Sequence, residues 1–184
     1  MSAVLSMLAV VVGVGVASAD DSPPKRDESA TNLAYMRLGA GNGIHTRQGI
    51  GGGPLLGAGY RAEVRDWGVD IGASLTIPSS ERNVAFTNAR FALQGMRFMT
   101  PRQVNSIYYG GGPAVGVGGG IGVDATGVIG YEFARDTPLR MFAQLDAVLP
   151  LRAYEPIDSA SPDGYMAYFG MSFGVAYRAN SRFL

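Results

Sequence analysis

The stretch YMAYFGMSFGVAY, residues 165–177, decides the fold. Its odd positions are Tyr165, Ala167, Phe169, Met171, Phe173, Val175 and Tyr177, an apolar face; its even positions from Met166 to Ala176 are mostly small or polar. Alternation with a period of two puts successive side chains on opposite faces of a β-strand, so the strand lies between two different environments. At roughly 3.3 Å per residue and a tilt of about 40°, such a strand rises roughly 30 Å, the thickness of a bilayer hydrocarbon core. Tyrosine stands at both ends of the apolar face, where a membrane interface suits an apolar ring with a wet hydroxyl. The pattern predicts a transmembrane strand.

Seven earlier segments alternate in the same way. Residues 139–153 set Leu139, Met141, Leu145, Leu149 and Leu151 against Arg140, Gln144, Asp146 and Arg152. Residues 121–133 set Ile121, Val123, Ile129, Tyr131 and Phe133 against Asp124, Thr126 and Glu132. In residues 107–117, Pro113 cannot donate a ladder bond and predicts a bulge or local break. In residues 84–99, Phe91 and Leu93 oppose Arg90 and Gln94, but Met96 and Phe98 then take over the apolar parity, which predicts a bulge near Gly95. Residues 67–77, with Trp67 outward and Asp70 on the polar face, form a hairpin with residues 55–65, where Tyr60 opposes Arg61 and Glu63. Residues 33–40 complete the set.

Eight antiparallel strands can close, leaving no unpaired edge in lipid, and both chain ends then lie on one side. The expected turns on that side are Arg65 with Asp66, residues 100–105 and residues 136–138; the opposite loops are 41–49, 78–83, 118–120 and 155–164. Charge decides which face meets lipid, because a charge near the midplane of the lipid face costs roughly 2–4 kcal/mol. Arg61, Glu63, Asp70, Arg90, Asp124, Glu132, Arg140, Asp146 and Arg152 share the polar parity and are expected to point inward as a network of mixed sign. An eight-stranded interior is just wide enough for side chains to fill it. Tyr60, Trp67, Tyr131, Tyr165 and Tyr177 are the expected interface aromatics. A soluble lipocalin-like barrel would need the opposite arrangement, apolar inside and charged outside.

Composition narrows the class further. Hydrophobic residues make up 47% of 184, yet no unbroken apolar run after the leader is long enough for a membrane helix. Lys+Arg and Asp+Glu are both 15, which leaves no electrostatic footprint for nucleic acid. Cysteine is absent, which removes disulfides, thiolate metal sites and cysteine nucleophiles. Residues 1–19 carry an apolar core and end in Ala17-Ser18-Ala19, the small residues a signal peptidase accepts, although no Lys or Arg precedes the core. The mature chain is expected to start at Asp20, with residues 20–32 a disordered periplasmic tether and 33–184 the barrel.

With a leader, eight amphipathic segments, aromatic strand ends and no cysteine, the chain from Leu33 onward resembles the small outer-membrane barrels of the OmpA/OmpX type. The resemblance implies an all-β, closed antiparallel up-and-down transmembrane barrel in the bacterial outer membrane. It implies delivery by the outer-membrane assembly machinery, which reads a terminal aromatic; here Phe183 is penultimate. The expected role is structural or interactive, in contact with membrane lipid and lipopolysaccharide, with no cofactor and no catalytic or metal site.

Other chemistry finds weaker support. Gly170-Met171-Ser172-Phe173-Gly174 matches the hydrolase G-x-S-x-G, but that motif needs a strand-to-helix turn and here lies mid-strand. The glycines at 110–122 match no phosphate-loop spacing. His45, the only histidine, could act with Ser79, Ser80 and Glu81 if outer loops brought them together. A narrow channel, a lipid-modifying enzyme at the rim and a soluble binding barrel therefore stand as alternatives to the scaffold.

Overall fold

The computed structural model describes residues 30–46, 49–77, 88–117, 120–152 and 166–179. Eight strands run in order: β1 Thr31–His45, β2 Gly49–Val64, β3 Trp67–Thr76, β4 Asn88–Phe98, β5 Ser106–Val117, β6 Ile121–Phe133, β7 Leu139–Pro150 and β8 Met166–Arg178. Each pairs antiparallel with its sequence neighbour, and β8 returns to β1 from Leu33↔Arg178 to His45↔Met166, closing an up-and-down barrel.

The walls are inside out by the standard of a water-soluble protein. Met36 (68% exposed), Ile71 (61%) and Phe173 (50%) face outward, whereas Asp124, Glu132 and Arg140 are fully buried. Water would leave the apolar wall unsatisfied. Hydrocarbon accommodates it, and closure pairs the backbone groups that lipid cannot. This is a transmembrane β-barrel, and it excludes the lipocalin-like arrangement.

Several boundaries and one expected irregularity differ from the sequence reading. β4 holds one register against β3 from Trp67↔Arg97 to Thr76↔Asn88, so there is no bulge at Gly95. Met96 and Phe98 instead keep the inward parity of Arg90 and Gln94 and are buried. The lower lumen contains an apolar cluster that includes Leu33, Tyr35, Met96, Phe98, Tyr108 and Phe142, so apolar side chains there do not mark the lipid face. Pro113 does interrupt its ladder: β4–β5 pairing stops at Ala92↔Ala114 and resumes in the same register at Gly95↔Gly111. Most of the expected 41–49 loop is strand, with Gly41↔Gly53 and His45↔Gly49 in register. The expected loops 78–83 and 155–164, the leader and residues 20–29 of the tether lie outside the described residues, whereas Thr31 and Asn32, expected at the end of the tether, already pair with Glu63 and Ala62 as the start of β1.

Ring size explains where the lumenal glycines fall. Tyr35 lies opposite Gly59, Tyr108 opposite Gly130 and Phe142 opposite Gly174. A Cβ at any of these glycines would collide with the facing ring, and one at Gly41 would collide with Tyr168. Glycine lets each ring reach over the strand beside it, the aromatic-over-glycine device that also helps fix register in sheets.

Candidate functional site: the polar lumen

The inward face of the barrel carries three tiers of polar contacts. At the turn end, Arg140 Nη1 donates to Glu63 Oε2 at 2.9 Å and to Glu132 Oε1 at 3.2 Å. Arg135 Nη2 donates to the same Glu63 oxygen at 3.0 Å and its Nη1 to Glu132. Arg61 Nε donates to Asp70 Oδ2 at 3.0 Å, and the Tyr35 hydroxyl donates to Asp70 Oδ1 at 2.7 Å. Four rings surround the Arg61 guanidinium: Tyr108 at 4.9 Å, Tyr35 and Phe142 at 5.7 Å and Phe98 at 6.0 Å. The aromatic faces supply negative potential that supplements the carboxylates.

In the middle tier Arg37 Nη1 donates to Asp146 Oδ2 at 2.7 Å, and Gln144 Nε2 donates to Asp146 Oδ1 at 2.8 Å. The Tyr108 hydroxyl reaches Gln144 Oε1 at 2.8 Å, linking this tier to the one below. Gln94 Nε2 donates to Thr126 Oγ1 at 2.9 Å. In the upper tier Arg90 Nε donates to Asp124 Oδ2 at 3.2 Å, and its guanidinium lies 4.7 Å from the centre of the Tyr168 ring. The Tyr168 hydroxyl shares a 2.8 Å hydrogen bond with Thr76.

Glu63, Asp70, Asp124, Glu132 and Asp146 thus face Arg37, Arg61, Arg90, Arg135 and Arg140, five charges of each sign. Removing one partner from such a set would strand a buried ion, so the members support one another. A cavity of about 20 Å³ lies between the middle and upper tiers, lined by Arg37, Asp70, Ser74, Arg90, Gln94 and Asp146 among others. That volume accommodates a water molecule in a polar site.

Of the residues expected in the network, Arg61, Glu63, Asp70, Arg90, Asp124, Glu132, Arg140 and Asp146 lie buried in the lumen. Arg152 does not. β7 ends at Pro150, and Arg152 is exposed two residues beyond it, after Leu151 N–H bonds back to Val123 at 2.9 Å. Arg37 and Tyr35 were absent from the expected set although both carry the inward parity. Arg135 had no strand parity to reveal it, because it enters from the turn after β6. Ala134 takes a positive φ of 53° there, the Ala134 N–H reaches Asn105 Oδ1 at 3.3 Å and the Arg135 N–H reaches Val104 O at 2.7 Å, which swings the Arg135 side chain up into the barrel.

Tyr60, Trp67, Tyr131 and Tyr177 are exposed on the outer wall; Tyr165 lies outside the described residues. His45 is only 6% exposed at the end of β1, and Ser79, Ser80 and Glu81 lie outside the described residues. Ser172 is fully buried mid-β8, and its hydroxyl lacks a hydrogen-bond partner among the described residues, so the G-x-S-x-G stretch presents no activated nucleophile.

No protein-family model matches the chain, and no curated protein does. Among solved structures it is similar to Neisserial surface protein A (NspA), with a TM-score of 0.64 and 11% identity over 83% of this chain and 100% of that one. A de novo designed transmembrane β-barrel matches with a TM-score of 0.48 and 13% identity, over 81% of this chain and 95% of that chain. The N-terminal β-barrel domain of Pseudomonas aeruginosa OprF matches with a TM-score of 0.42 and 15% identity, over 79% and 99%. The likeness to NspA is one of fold, and it agrees with what strand count, closure and wall polarity establish: the chain is an eight-stranded transmembrane β-barrel.

Proposed function

We propose that this protein is an outer-membrane scaffold with a closed lumen, whose function is structural or interactive rather than catalytic or conductive. The supporting observation is the lumen itself: among the described residues, arginines paired with carboxylates occupy its three tiers, and a cavity of about 20 Å³ lies between two of them. A selective pore more often lines its path with charge of one sign. The outer-membrane address rests on the leader ending at Ala19 and on the barrel fold; the assembly machinery delivers the chain, and phospholipid and lipopolysaccharide surround it. The surface ligand belongs to the loops between strands at the end opposite the short turns. Protein purified from the envelope should have an intact mass that starts at Asp20, and in planar bilayers it should conduct weakly or not at all. A steady ion-selective conductance would replace the scaffold with the channel, and a mass that begins at Met1 would remove the cleaved leader.

A further inference from the structure

Arg97 breaks the polarity of the outer wall. Among the described residues of the eight strands it is the one charged side chain on the outward face. It stands near the end of β4, just before the turn at 99–105, so it belongs to the interfacial zone rather than the apolar middle. Its direct neighbours on both adjoining strands are aromatic, Trp67 on β3 and Tyr109 on β5. The guanidinium lies 5.4 Å from the centre of the Trp67 ring, and the side chain as a whole is 51% exposed. Asp66 Oδ2 pairs with Arg97 through Nε at 3.6 Å, longer than a hydrogen bond, so this half-exposed pair does not occupy the planar fork of terminal nitrogens. That fork matches phosphate oxygens in geometry and charge.

We propose that Arg97, held between Trp67 and Tyr109, binds the phosphate of a glycerophospholipid in the leaflet at the turn end of the barrel. The inference rests on the membrane-spanning reading. The site faces sideways, and Leu93 and Met99, the outward residues flanking it on β4 and the following turn, are exposed, so its occupant must present an anion and apolar chains together. A phospholipid does so. Beside the guanidinium Gly95 pairs with Gly111, which leaves the wall shallow where an acyl chain would begin.

Trp67 is the only tryptophan in the chain, so its emission reports the lipid nearest the site. The full-length protein would be refolded into vesicles of equal parts phosphatidylglycerol and phosphate-free digalactosyl diacylglycerol, with one or the other brominated on its acyl chains. Brominated phosphatidylglycerol should quench Trp67 with about a fivefold preference, the size expected of one basic side chain at an anionic surface. Arg97→Gln should bring the preference to one, and Arg97→Lys should keep part of it. Equal quenching by both lipids, or a preference that survives in Arg97→Gln, would overturn the site. Inorganic phosphate in the buffer should leave the preference unchanged; its loss would show a site for free phosphate instead. A barrel outside the membrane would show no quenching by either lipid, which separates failure of the membrane reading from failure of the site.

Discussion

At the scale of the residue, burial makes pairing obligatory. Glu132 is fully buried and accepts from both Arg135 and Arg140. Glu132→Ala would leave those two guanidiniums sharing Glu63, and breaking a buried ion pair by removing one partner costs roughly 3–5 kcal/mol. Denaturant unfolding in lipid vesicles should show a loss of that order. A change below about 1 kcal/mol would mean that water reaches the lower lumen and screens the cations. Most of these charges were legible as residues, because parity alone assigned Arg61, Asp70 and Glu132 to the interior. Which acid meets which base was not legible, since partners such as Glu63 and Arg140 are 77 positions apart and meet only across the lumen.

At the scale of the element, the strands are held in register by complementary bulk. Tyr108 lies across Gly130 on β6, and its hydroxyl continues to Gln144 on β7. Gly130→Val would force the ring off that position, and overpacking of a filled interior typically costs about 1–3 kcal/mol. Unfolding measurements should show that loss, and the near-ultraviolet circular dichroism of the tyrosines should weaken with it. An unchanged signal would show that the ring has another place to go. The alternation of β6 was plain in the sequence, but β4 was misread for a definite reason. A lumen with an apolar base accepts Met96 and Phe98 on the same face as Arg90, and hydrophobicity by itself cannot tell that base from lipid.

At the scale of the whole molecule, closure and polarity act together. Every strand is paired on both sides, and the apolar wall is stable only in hydrocarbon or detergent. Unheated protein in dodecyl sulfate should therefore migrate as a compact band, and boiling should convert it to a slower, extended form. Identical migration before and after boiling would contradict a closed barrel. Strand count, wall polarity and most of the inward charges were legible in the sequence, because period-two alternation is a local property that each segment carries alone. The loss of Arg152 to the surface and the entry of Arg135 from a turn were decided only by tertiary structure, as was the meeting of five acids with five arginines. Those depend on where β7 stops, on how the chain bends at Ala134 and on which side chains share a level once the barrel has closed.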